Sequence, residues 1–184
     1  MHRFLARTFT GSIALIIASA MALAAAPSAE VKAKAEAKAK QLAWLSTDPK
    51  VVAAVKEQNA SPSAEAKAMT QDKWQGLNVL DPFVKSLAKN SLADYLKGKK
   101  DDSMSELFVS GADGTKVAFF AKTSGWSHKG KDKHDVPMKG STWYGPIEVD
   151  QSSGVEQMQI AMPVLDGGKP IGSVVVGLAV AKLN

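Results

Sequence analysis

The hydrophobic pattern changes period near residue 104, from helical spacing before it to strict alternation after it. Residues 30–59 read as helix. Ala, Lys, Glu and Gln fill 30–42, and although the run AKAEAKAKQ alternates, Ala and Lys are depleted in strands, so helix prevails. Apolar weight then gathers at Leu42, Leu45, Val52 and Val55. Ser46-Thr47-Asp48-Pro49 interrupts this run, with Asp48 placed to cap a new helix and Pro49 at its first position. Ser61-Pro62-Ser63 opens another helix through Met69 and Trp74 toward Gly76. A further helix is expected over 81–97, where Phe83, Val84, Leu87, Leu92 and Tyr95 keep helical spacing. The charged run 98–102 breaks the pattern.

Strands follow. A short one is expected at 107–109, a tight turn at Ala112-Asp113-Gly114, and a second strand at 116–120. A long polar loop spans 125–140. Further strands are expected at 143–149, 156–164 and 171–180, separated by turns at Ser152-Ser153-Gly154 and Asp166-Gly167-Gly168. Helices followed by antiparallel strands make an α+β domain, with the helices expected on one face of a five-stranded sheet. The last strand is apolar on both faces, which makes it central or covered on both sides. Ser173, Gly177 and Ala179 share one of those faces and leave room for a close-packed helix or a ligand.

Composition adds limits. Arg3 and Arg7 precede an apolar stretch over 11–26, and small residues follow at Ala22-Leu23-Ala24 and Pro27-Ser28-Ala29. This is the pattern of a cleaved export signal occupying 1–29, and the stretch is short for a membrane span. The organisation expected is therefore signal 1–29, helical part 30–104 and sheet part 105–184 of one domain, free in the periplasm and not membrane-spanning after cleavage. There is no cysteine, which excludes disulfides, thiolate metal sites and a cysteine nucleophile. Both arginines lie in the signal, so losing them takes the formal charge from +5 to +3. That is too modest for nucleic-acid binding, and none is expected. Without arginine, an anion must be held by lysine, backbone or hydroxyl groups.

Candidate chemistry centres on the 125–140 loop. Trp126, Trp143, Tyr144, His128 and His134 surround it, and aromatics with a few polar groups suit a pocket for a small organic molecule. The plainer account is that Trp143 and Tyr144 pack the core and Trp126 pins the loop. Lys122 and Lys139 offer charge for an anionic ligand. The ligand-binding set expected is Trp126, His134, Trp143, Tyr144 and Lys122. His128, Asp132, His134 and Asp135 suggest a metal, but their spacing fits no established site, and Lys129, Lys131 and Lys133 would repel a cation, so no metal and no cofactor are expected. No nucleophile elbow, zinc-protease motif or nucleotide-binding glycine loop is present, and no enzyme activity is expected. The lysine-rich first helix is a solvated face or, alternatively, a docking surface.

Several segments resemble the Cache (PDC) branch of PAS-like extracytoplasmic sensor domains: residues 45–52 its first helix, Gly111-Ala112-Asp113-Gly114 its first hairpin turn, and Trp143-Tyr144-Gly145-Pro146 the entry to its third strand. Residues 149–154 and 162–172, the arms and turns of the closing hairpin, are the most specific. The resemblance implies a long N-terminal helix, helical connectors, and a five-stranded antiparallel sheet with a large insertion after its second strand. It also implies a small organic ligand held between the sheet and that insertion. Cache domains usually belong to chemoreceptors, histidine kinases or cyclases. Ending just after Lys182, this chain is expected to signal through a separate membrane-bound receptor, kinase or cyclase. Amino-acid-binding members use an arginine clamp that is missing here, which argues against an amino-acid ligand.

Overall fold

The structure, a computed structural model, describes residues 26–150 and 154–183. The expected export signal and the turn residues Ser152 and Ser153 lie almost wholly outside them. Helix α1 (Ala29–Leu42) starts at Ser28, whose side chain accepts the Val31 N–H, and ends in a short 3-10 turn. Helix α2 (Pro49–Ala60) starts as its sequence dictates: Asp48 accepts the N–H groups of Lys50 and Val51, and Pro49 occupies the first turn, where no intrahelical donor is needed. Two expected helices are each split. Helices α3 (Ala64–Ala68) and α4 (Gln71–Gly76) meet at an extended Met69, where Thr70 caps α4. Helices α5 (Pro82–Ala88) and α6 (Ser91–Lys97) meet at Asn90, whose amide accepts the Ala93 N–H and donates to the Val117 carbonyl.

The strands are β1 (Met104–Gly111), β2 (Lys116–Phe119), β3 (Trp143–Val149), β4 (Glu156–Asp166) and β5 (Lys169–Ala179). They form one antiparallel sheet in the order β2-β1-β5-β4-β3, so the doubly apolar last strand is central. Between β4 and β5 the turn uses Gly167 and Gly168, both at positive φ (58° and 83°), a conformation that suits the twist of a two-residue hairpin. The 125–140 loop carries a one-turn helix, α7 (Asp132–Asp135), and a 3-10 turn at Pro137–Lys139.

Both faces of the sheet are covered, not one. On the first face Leu42, Leu45, Val51, Val55, Leu92 and Leu96 meet Leu107, Val109, Ile160, Val174 and Val176, all essentially buried. On the second, Trp74, Phe83, Val84 and Leu87 of α4 and α5, with Trp126, cover Phe108, Phe119, Ala161 and Val175. The short helices suffice there because their cover is aromatic, and each large ring removes much apolar surface from water. Asn59 at the end of α2 ties the two halves together, donating to the Ile171 carbonyl (2.7 Å) and accepting the Ala112 N–H (2.8 Å).

Candidate functional site

The second face is apolar under α4 and α5 but polar beside the inserted loop. Side chains alternate across each strand, and register places Glu106 of β1 opposite Gly177 of β5, with Gln159 of β4 on its other side. At Gly177 a Cβ would stand 2.4 Å from Gln157 Oε1 and 2.9 Å from Glu106 Cβ, so the bare backbone is what allows these side chains to lie flat on the sheet. Lys133 of α7 reaches down from above. Its ammonium donates to Gln159 Oε1 (2.5 Å), and Gln159 Nε2 donates to Glu106 Oε2 (2.7 Å). Beside this chain Gln157 Oε1 accepts from Ser105 (2.5 Å) and Gln157 Nε2 faces Asp150 Oδ2 (3.4 Å).

A cavity of about 200 Å³ opens between residues 131–133 and the β3–β4 pair. Trp143, Gly145, Pro146 and Glu148 form one wall, Lys131, Asp132 and Lys133 the other, and Gln157 and Gln159 the floor. The Trp143 ring lies across Gly145, where a Cβ would come within 2.6 Å of ring atom Cη2. Burial raises the Glu106 carboxyl above its usual range, opposed by the Gln159 hydrogen bond and by Lys133. Burial likewise lowers the Lys133 ammonium, opposed by Glu106, Glu148 and Asp150.

Deeper under the loop lies a second polar set. Lys116 is fully buried, its Nζ bonded to His128 Nδ1 and placed 4.2 Å from the Phe108 ring centroid. The His128 ring stacks on Phe108 at 4.8 Å. Burial holds Lys116 well below an ordinary amine, and burial with the Lys116 charge lowers His128 to about 2, so the imidazole is neutral. His134 is also depressed by burial. Its Nδ1 meets Ser173 Oγ (2.7 Å) and its Nε2 the Ala112 carbonyl (3.3 Å), a pairing that a neutral ring protonated on Nε2 satisfies.

The five residues expected to bind ligand are not brought together. Trp143 lines the cavity. Tyr144, one residue on, points to the opposite face and packs against the first core. Trp126 sits in the aromatic cluster, 5.2 Å from Trp74 and 5.4 Å from Phe83, with its backbone N–H held by Gln71. Lys122 lies over the Trp74 ring at 4.8 Å, and His134 is engaged beneath the loop. Among the described residues no group of three His, Asp or Glu is placed to hold a metal ion: His128 turns to Lys116, His134 to Ser173, and Asp135 accepts the Gly130 N–H. Glu106, Gln157 and Gln159 were not singled out in the sequence, and Lys133 was read there only as a charge that would repel a cation.

No family model and no curated protein matches the sequence. Among solved structures the chain is similar to the sensor domain of the V. cholerae histidine kinase DctB, at 14% identity and a TM-score of 0.47, covering 83% of this chain and 53% of that one. It is also similar to the sensory domain of the Campylobacter jejuni chemoreceptor Tlp3 with isoleucine bound, at 15% identity and a TM-score of 0.39, covering 84% and 67%. A third likeness is to the ligand-binding domain of the Pseudomonas aeruginosa amino acid chemoreceptor PctC with GABA, at 10% identity and a TM-score of 0.38, covering 82% and 62%. This chain thus spans about half the length of the DctB domain. Likenesses at this level carry no inference about ligand, partner or output. The observed element order is the one the Cache resemblance implies. Among the described residues no helix is long and apolar enough to cross a membrane.

Proposed function

We propose that this protein is an extracytoplasmic small-molecule-binding sensor that catalyses nothing and passes its signal to a separate membrane partner, a receptor, kinase or cyclase. The carrying observation is the cavity between the inserted loop and the sheet, with an aromatic wall and a floor of amides on the second face. Convergent polar groups beside an aromatic ring in a concave site are what small-ligand recognition needs. In this reading the signal within residues 1–29 is removed on export, and a cut after Ala24, the first of its two small-residue sites, would keep Ser28 to cap α1.

A thermal-shift screen of organic acids, amines, purines and pyrimidines tests it. A ligand at a hundredfold its dissociation constant stabilises by about 2.7 kcal/mol, several degrees for a domain of this size. Trp143→Ala should fold and lose the response. A response that survives this substitution removes the ligand from the cavity.

The lysine-rich α1 favours a second reading, a docking protein without a ligand. It buries only Ala35, Ala39 and Leu42 and exposes Lys32 and Lys40. Salt-sensitive binding of an acidic partner, with no small-molecule effect, would favour it.

A further inference from the structure

The cavity contains its own cation, and the groups around that cation are mostly acceptors. Lys133 reaches in from α7 and donates to Gln159 Oε1 at 2.5 Å. Behind that amide stands the Glu106 carboxylate, held 2.7 Å from Gln159 Nε2, so the amide relays charge between an ammonium and a buried anion. Asp132 and Glu148 add carboxylates to the walls, both of them exposed like Lys131. Lys131 is exposed, so its charge is largely screened by water, whereas Glu106 sits against the sheet. No arginine is present among residues 26–184 to turn the site toward carboxylates or phosphates. The remaining wall is the Trp143 ring, whose π face attracts cations.

Resting on the cavity as the ligand site, we infer that it takes a small organic ammonium ligand, and that the Lys133 ammonium is a tethered stand-in which such a ligand displaces. An incoming amine donates to Gln159 Oε1 and faces Glu106 through it, while its alkyl part lies on Trp143. Lys133 swings into water with its stem intact. Freeing Lys133 releases a bond that holds the single-turn α7, and with it the inserted loop, to β4, and that gives binding a structural consequence. The lysine also sets a threshold. The ligand must out-compete a group present at high effective concentration, which reduces its apparent affinity by the fraction of molecules with the lysine withdrawn.

This assigns Lys133 a role opposite to that of an anion-binding lysine, and calorimetric titration of the full chain tests it. Ethanolamine and putrescine serve as ammonium probes, and acetate and succinate as anion probes. The wild type should bind an ammonium probe, Lys133→Met should bind it about tenfold more tightly because the competitor is gone, and Trp143→Ala should lose it. Gln159→Leu, which keeps the floor filled but removes the acceptor, should also lose it, and circular dichroism checks that each variant is folded. If an anion probe binds and Lys133→Met abolishes that binding, the ammonium assignment falls while the cavity stands as the ligand site. If ammonium binding is unchanged or weakened in Lys133→Met, the stand-in role falls. If no probe gives heat sensitive to Trp143→Ala in folded wild type and Lys133→Met, both the assignment and the cavity reading fall.

Discussion

Two buried histidines should make this protein sensitive to mild acid. His128 and His134 are neutral in the folded state, both depressed chiefly by burial, His128 to about 2. In the unfolded chain each takes up a proton near the ordinary imidazole value of about 6.5. A depressed folded value means that the stabilisation is complete above 6.5 and is lost as the pH falls toward the folded value. For His128 this is about 1.4 kcal/mol per pH unit below that point. Glu106 acts in the other direction: its carboxyl is raised by burial, so its contribution is complete at low pH and is lost as the pH rises through the carboxylate range. Urea unfolding at roughly pH 7 and pH 5 should therefore show a clear loss on acidification, before most carboxylates titrate. His128→Gln should remove part of that slope. An unchanged slope in the variant would place the sensitivity elsewhere.

At the scale of elements, the backbone of β5 approaches its neighbours so closely that two of its glycines have different jobs. A Cβ at Gly172 would stand 2.3 Å from the Ser110 carbonyl oxygen, which is backbone of β1, and 2.9 Å from Val55 of α2. At Gly177 the nearest atom is the tip of the Gln157 side chain, which can swing aside, and the fixed Glu106 Cβ, at 2.9 Å, is a milder clash than the Ser110 carbonyl at Gly172. Gly172→Ala should thus cost about 1–3 kcal/mol or more by forcing strand and helix apart. Gly177→Ala should cost less yet disturb the polar floor, losing ligand response while the protein stays folded. Denaturant midpoints beside a thermal-shift assay separate the two, and equal midpoints would refute the distinction. Such approaches explain what was legible in the sequence. Alternation and turn glycines marked all five strands, and Asp48-Pro49 marked the start of α2. The splits at Met69 and at Asn90 were hidden because apolar spacing continues through them, although Thr70 and Asn90 are cap residues by type. Trp143 was legible as a large aromatic beside a polar loop. Tyr144 was grouped with it although neighbours on a strand face opposite ways. Glu106, Gln157 and Gln159 converge only through strand pairing, and no spacing along the chain reveals that.

For the whole molecule, the consequence is a division of labour between the two faces of one sheet. The first face is sealed by two long helices and a continuous aliphatic core, with α2 anchored at both of its ends, by Asp48 and by Asn59. The second face is sealed by short helices and a loop, and its cover is fastened by a few specific bonds: Trp74 Nε1 to the Thr123 carbonyl, Gln71 to Ser124 and Trp126, and His134 to Ser173. Local opening follows the density of buried apolar contact and of protected backbone bonds, so the second face should open without the first. A sensor needs this asymmetry, because ligand energy spent on ordering a loosely held cover shifts populations, whereas the same energy against a rigid core shifts little. Hydrogen exchange makes the division measurable. Amides of β1, β4 and β5 should exchange slowest, near the global unfolding limit, and those of residues 125–140 much faster. Adding an ammonium probe should slow the loop amides and leave the central strands unchanged, and slowing should also reach α4, because Gln71 holds the loop to it. Protection that spreads evenly over both faces would mean that binding stabilises the fold globally, and the loop would then have no separate part in signalling.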